Sequence, residues 1–315
     1  MTKVAWLFPG QGSQAVGMGM ALAQAEGEVG SKAKAVLQEA DGALGFELSA
    51  IMGQGPDEAL KLTENTQPAI LTHSTMVVRA FEAQLPRPDF VAGHSLGEYS
   101  ALVASGALEF ADAVRTVRQR GRVMQEAVPA GVGGMAAILG MAVADVEAGC
   151  REASERTGKT VVPANFNGAG QIVIAGHAEG VDAAIEVLKG KGGRKMIKLP
   201  VSAPFHSPLM EPAQTAMRPV LDALAFRAPI CPLVNNVDAK AVVDPEELRA
   251  GLVRQIPGAV RWEATMKLLL EAGVTTFLEL GPGKVLAGIA SRMAKEAGVE
   301  IKALSIGAPE DLAAL

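Results

Sequence analysis

A chain of 315 residues, 49% of them hydrophobic and 20% charged, is long enough to bury a core and suits one large domain or two, which excludes a disordered segment. The net charge of −5 comes from mixed signs spread along the chain and only 4% of residues are aromatic, so neither a basic nucleic-acid face nor a stacking platform is expected. Cys150 and Cys231 lack CxxC spacing and neighbouring histidines, and no stretch reaches the ~20 apolar residues of a membrane span, so no metal site, disulfide framework, signal peptide or membrane partner is expected, and a cytoplasmic address is.

Residues 4–8 form a short apolar run closed by Pro9-Gly10, which predicts a buried strand, and residues 18–40 predict a helix. A second helix is expected over 69–85. The strand-then-helix rhythm returns at 90–92 before a Gly-rich turn and a helix over 97–104, and again at 275–280 before Gly281-Pro-Gly283. Strands apolar throughout suit a parallel sheet covered on both faces. Between residues 131 and 201 the pattern changes to strands at 135–139 and 171–175 with helices near 144–157 and 179–189, which fits a βαββαβ module. The expected fold is therefore α/β: an α/β-hydrolase-like large domain (1–129 and 201–315) with a small ferredoxin-like α+β subdomain (130–200) inserted in it.

Gly93-His94-Ser95-Leu96-Gly97 is a GxSxG sequence placed directly after a predicted strand and directly before a predicted helix, the context of a nucleophile elbow. The glycines permit a sharp turn, Ser95 is thrust out at its tip, and the backbone N–H of Leu96 at the helix N-terminus can donate to a developing oxyanion. Ser95 and Glu98, three residues apart, also have capping-box spacing.

A serine hydroxyl needs a base, and the chain has four histidines. His94 adjoins Ser95 but should point away from it on a tight elbow. His73 falls inside a helix among small and apolar neighbours, and His177 begins a turn after an apolar strand. His206, in a loop bracketed by Pro204 and Pro208, is the candidate base. Asp182, Asp238 and Asp244 sit in contexts that read as solvated, so a backbone carbonyl rather than an aspartate could fix the imidazole tautomer. Val114, Val117, Gly121, Met124 and Val128 make an apolar helical stripe with Arg120 on its border, able to reach inward, whereas Arg115, Arg118 and Arg122 read as solvated.

The segments Phe8-Pro-Gly-Gln-Gly-Ser-Gln14, Gly93-His-Ser-Leu-Gly-Glu-Tyr99, Arg120-Gly121 leading into Met124-Gln-Glu-Ala, Asn165-Phe-Asn167, Val234-Asn-Asn-Val-Asp238 and Gly281-Pro-Gly-Lys-Val-Leu286 follow one another in a characteristic order. In these segments, from the N-terminus to about residue 290, the chain resembles the malonyl-CoA:acyl carrier protein transacylases of type II fatty acid synthesis. The resemblance implies that Ser95 is acylated with His206 as its base and that the backbone carbonyl of Gln255 orients the imidazole. It further implies an oxyanion hole from the N–H groups of Gln11 and Leu96, a pocket lined by Gln67, and an Arg120 clamp on the free carboxylate of the malonyl group. Ping-pong transfer from malonyl-CoA to the phosphopantetheine thiol of an acyl carrier protein follows, with no metal or redox cofactor, and a monomer is expected. Phe205 is a departure, since some relatives carry a small residue there; its ring either excludes an α-methyl branch, favouring malonyl over methylmalonyl, or simply packs.

Other readings are weaker. Gly10-Gln-Gly-Ser-Gln-Ala15 satisfies a dinucleotide fingerprint, but no second strand with a ribose-binding acid follows it, and Gly283-Lys284 lacks the remaining P-loop residues. A serine hydrolase or thioesterase would use the same Ser–His pair, and a malonyl transferase could serve a polyketide synthase; a non-catalytic carrier-binding module is opposed by the intact pair. The basic run Lys189, Lys191, Arg194, Lys195 and Lys198 suits docking of an acidic carrier protein, or is a solvated turn.

Overall fold

The computed structural model describes residues 2–201 and 203–315, in which ten strands form two sheets. In chain order the strands are β1 (Lys3–Phe8), β2 (Phe90–Gly93), β3 (Gly133–Leu139), β4 (Val161–Gly168), β5 (Gln171–His177), β6 (Lys195–Lys198), β7 (Leu233–Val234), β8 (Ala241–Val242), β9 (Val274–Leu280) and β10 (Lys302–Ile306). The large sheet runs β10-β9-β1-β2-β7-β8, parallel throughout except for β8 at its edge.

Strand β1 is central because it is apolar on both faces. Alternate side chains go opposite ways: Val4, Trp6 and Phe8 join a core with Leu22, Ile70 and Tyr99, while Ala5 and Leu7 join a second core with Trp262, Phe277 and Ile289. Burying each large side chain of this kind contributes about 1.5–3 kcal/mol. The first core is the larger. It receives the helices Thr63–Ala80 and Phe110–Glu126, the former buried along nearly its whole length.

The small sheet runs β4-β5-β3-β6, antiparallel throughout, with helices Val143–Thr157 and Ala178–Gly190 between its strands, so the βαββαβ order and ferredoxin-like strand arrangement are both present. It is tied to the large sheet's side of the molecule by Phe166 N–H donating to Val260 O (2.9 Å) and Val260 N–H donating to Ala164 O (2.8 Å). Phe205 packs against the large core and against the face of the small sheet that carries Met135, Ala164 and Val173.

Two helices differ from expectation. The segment over 18–40 is divided into Met20–Gln24 and Gly27–Leu44, the second opening on Gly27 at φ 69°, a conformation glycine takes at little cost. The helix expected from residue 69 begins at Thr63 and contains Pro68, whose missing N–H removes one donor near the helix start, and it ends at Ala80. By contrast, strand β2 and the helix Gly97–Ala104 stand where the pattern placed them. Their close approach to β1 needs Gly97: a Cβ there would lie 2.1 Å from the Phe8 carbonyl oxygen.

Candidate active site

Strand β2 ends at Gly93 and the helix Gly97–Ala104 starts four residues later, which forces Ser95 into the left-handed region at φ 52°. Such backbone strain in a non-glycine residue costs of order 1–3 kcal/mol and persists only where the surroundings hold it. Here Asn236, beyond β7, does so: its side-chain oxygen accepts from Ser95 N–H at 2.6 Å and its amide donates to Gly93 O at 2.7 Å. The capping-box alternative is not realised. Ser95 Oγ donates to His206 Nε2 at 2.7 Å, and Glu98 accepts from Asn236 N–H and from the Gln255 amide, both at 2.9 Å.

His206 is 4% exposed and itself has a positive φ of 58°. Its Nδ1–H donates to the carbonyls of Gln255 (3.0 Å) and Gly258 (3.1 Å), which leaves Nε2 as the acceptor facing the serine. Burial, reinforced by the nearby Arg120 charge, pushes the imidazole down to about 3, so it is neutral at physiological pH with Nε2 unprotonated. None of the three aspartates considered reaches it. Asp182 pairs with Lys198, Asp238 with Arg254, and Asp244 caps the helix Pro245–Gln255.

Arg120 reaches inward. It is 1% exposed, and its Nη1 donates to Gln67 Oε1 (2.8 Å) while its Nη2 donates to Gln255 Oε1 (2.8 Å) and to Ser95 Oγ (3.2 Å). Both amides are neutral, and Nε has no hydrogen-bond partner among the described residues. A buried guanidinium without a directly paired carboxylate beside a nucleophile is a seat for an anion. Arg115 and Arg122 are exposed, as their side of the helix suggested, but Arg118 is not simply solvated: it donates to Asn65 Oδ1 (2.7 Å) and lies 4.2 Å over the Phe46 ring.

Gln11 follows the tight end of β1, where Gly10 runs so close to the elbow that a Cβ would stand 2.4 Å from the His94 carbonyl oxygen. The backbone N–H groups of Gln11 and Leu96 have no protein acceptor among the described residues, as an oxyanion hole requires. His94 turns away from the serine and bonds Asn167 Oδ1 at 2.8 Å. A cleft of ≈ 210 Å³ opens over Ser95, lined by Gln11, Gln67, Leu96, Arg120 and His206 and walled by Met124, Met135, Leu199 and Phe205. A larger cavity of ≈ 520 Å³ lies near the N-terminal ends of β2 and β7, lined by Arg87 and Ile230 but by no histidine. It is remote from this chemistry.

Residues 5–308 match the model of the acyl transferase domain. The chain belongs to the acyl transferase domain family. It is 46% identical to the malonyl CoA-acyl carrier protein transacylase of Bacillus subtilis, over 99% of this chain and 96% of that one, and 46% identical to its Escherichia coli K12 counterpart over 93% of each. Its fold superposes on an acyl carrier protein S-malonyltransferase from Vibrio cholerae with a TM-score of 0.94 at 40% identity, covering 99% of both chains. A malonyl-transacylase solved in complex with a type II PKS acyl-carrier protein gives 0.93 at 40% identity, covering 99% and 98%.

Within this acyl transferase domain, sequence reasoning brought together Ser95, His206, Arg120, Gln11, Leu96, Gln67 and Gln255, and all seven meet at the one cleft or its floor. Three further residues were given no part in the site: Glu98, read only as a possible helix cap, Asn236 and Gly258. Each acts through a backbone group or a buried side chain of a distant segment, and only the polar pair Asn235-Asn236 directly after an apolar run hinted at one of them.

Proposed function

We propose that the chain transfers a malonyl group from coenzyme A to the phosphopantetheine thiol of an acyl carrier protein, through a malonyl ester on Ser95. The observation that carries this reading is Arg120: a buried cation 3.2 Å from the nucleophilic oxygen, held open by two neutral amides, fits an acyl group that ends in a carboxylate. The relatives that share the fold over nearly its full length are named for the same transfer.

The steps follow from the geometry. His206 Nε2 takes the Ser95 proton as Oγ attacks the thioester carbon; the carbonyl oxygen becomes an oxyanion between the N–H groups of Gln11 and Leu96. Collapse expels the coenzyme A thiol, which receives the proton from His206, while the Gln255 and Gly258 carbonyls stabilise the transient imidazolium. The carrier thiol then repeats the sequence in reverse. No step calls on a metal or redox group.

Finer assignments belong to the same proposal. The chain acts as a cytoplasmic monomer in fatty acid biosynthesis, without nucleic-acid or membrane partners; no helix of the described residues is long and apolar enough to cross a membrane. In the basic run, Lys191 and Lys198 are paired with Glu152 and Asp182, so Lys189, Arg194 and Lys195 are the cations offered to an acidic carrier.

The test is intact-protein mass spectrometry after mixing with malonyl-CoA. A malonyl adduct on Ser95 that survives in buffer and discharges when the thiol-bearing carrier is added supports transfer. An adduct lost to water at the same rate with or without carrier makes the protein a hydrolase, and no adduct at all removes malonyl-CoA as donor.

A further inference from the structure

Glu98 is a carboxylate that the transfer steps do not use, yet it is 2% exposed directly beneath the elbow. One of its oxygens, Oε2, accepts from Asn236 N–H and from the Gln255 side-chain amide, each at 2.9 Å. The same Gln255 NH₂ also donates to Ser95 O at 3.0 Å. Both partners on that side accept only, so the amide has one orientation and its Oε1 must face Arg120 Nη2, 2.8 Å away. Guanidinium, amide and carboxylate therefore stand in a row, with a single neutral group between the two charges. Asn236 and Gln255 are both fully buried, so water does not screen them.

We propose that Glu98 is a positioning residue that tunes substrate retention: its buried carboxylate, acting through Gln255 on Arg120, loosens the hold of the guanidinium on an anionic acyl group. This rests on the malonyl reading above. In the empty site the Arg120 charge is balanced at one remove by Glu98. A malonyl carboxylate arriving at Arg120 places a second anion on the same buried cation, and two carboxylates in one dry site do not both stay ionised without cost. Either the malonyl group is held less tightly or Glu98 takes up a proton. Burial pushes Glu98 up to about 7, so proton uptake is accessible near neutral pH. The other charged or titratable groups acting on it are Arg120 and Asp238 from neighbouring elements and Tyr99 on its own helix. Malonyl capture is then coupled to a proton and acetyl capture is not, and the weaker hold at higher pH favours release to the next thiol.

The experiment measures kcat and KM for malonyl-CoA and acetyl-CoA between about pH 6 and 8.5, in the wild-type protein and in Glu98→Gln; both donors carry the same coenzyme A, and the malonyl carboxyl titrates well below this window. In the wild type the malonyl-to-acetyl ratio of kcat/KM rises as pH falls, by on the order of tenfold for charges one amide apart at an effective dielectric of ~20. In Glu98→Gln, which keeps an oxygen for both donors, the ratio is already high at the alkaline end, does not vary with pH, and reflects a lower KM for malonyl-CoA. The rate at which phenylmethanesulfonyl fluoride sulfonylates Ser95 reports that the Ser–His pair is assembled in the variant. A ratio that the substitution leaves unchanged or lowers overturns the proposal. Should the variant be insoluble, the wild-type profile decides alone, and a flat ratio overturns it. A wild-type protein that takes no malonyl group onto Ser95 sinks the malonyl reading itself, which is a separate result.

Discussion

Replacing Arg120 by alanine removes the buried cation that faces Ser95, and the consequence can be worked from its contacts. The guanidinium keeps Nη1 on Gln67 and one Nη2 hydrogen on Gln255, so Nε–H, the second Nη1 hydrogen and the Nη2 hydrogen now directed at Ser95 Oγ are available to a carboxylate. Two charge-assisted bonds at about 1.5–3 kcal/mol each amount to roughly 3–6 kcal/mol of transition-state binding. At 1.4 kcal/mol per decade, kcat/KM for malonyl-CoA falls by about 10²–10⁴. Acetyl-CoA makes neither bond, so its kcat/KM changes little and the preference between the two donors collapses. Loss of the Arg120 charge also lets the His206 imidazole rise from about 3 toward its ordinary value, which moves the acid limb of the acetyl profile upward without protonating the base at neutral pH. Arg120→Lys restores only part of the loss, because an ammonium cannot span Gln67, Gln255 and a carboxylate together. The assay is initial-rate transfer to a carrier protein with each acyl-CoA. Equal losses for malonyl and acetyl would show that Arg120 supports the serine or the fold and does not read the acyl group.

Phe205, in the wall of the cleft, is the residue expected to exclude an α-methyl branch; Phe205→Ala raises methylmalonyl-CoA use relative to malonyl-CoA by about tenfold, the lower end of the scale for one methylene in an apolar pocket, and an unchanged ratio in a two-donor competition would reduce the ring to packing. Gly97→Ala drives a methyl group into the Phe8 carbonyl oxygen at 2.1 Å, so the variant loses several kcal/mol and its thermal midpoint drops sharply in calorimetry, whereas Gly106→Ala, with open space around it, is strained only by its φ of 76° and loses about 1 kcal/mol. Acid stability carries a sign of its own. His206, His94 and His73 are all buried with lowered proton affinity, so the unfolded chain binds protons that the folded one does not as pH falls below the ordinary histidine value of 6.5. Stability therefore declines from about pH 6.5 toward 3, while Glu98, raised to about 7, opposes this between its ordinary 4.5 and 7; chemical unfolding at pH 7 and 4.5 tests the balance, and greater stability at pH 4.5 would contradict the histidine assignment.

What could be read from the sequence by itself was whatever neighbouring residues encode. The elbow is a matter of five consecutive residues, and glycines on either side of Ser95 between an apolar run and a helix dictate its shape wherever the segment lies. The apolar stripe that draws Arg120 inward is likewise a local, periodic property of one helix. The alternation of Val4, Trp6 and Phe8 with Ala5 and Leu7 announced a strand covered on both sides, and with it the parallel sheet. Tertiary structure decided how these pieces are joined. Asn236 meets the Ser95 backbone across 141 residues and the Gln255 amide meets it across 160, and no spacing rule connects such positions. Glu98 is the clearest case: three residues after Ser95 it looks like a helix cap, yet the segments packed over it supply two N–H donors, and satisfying those buried donors outweighs capping a helix end that the elbow already fills.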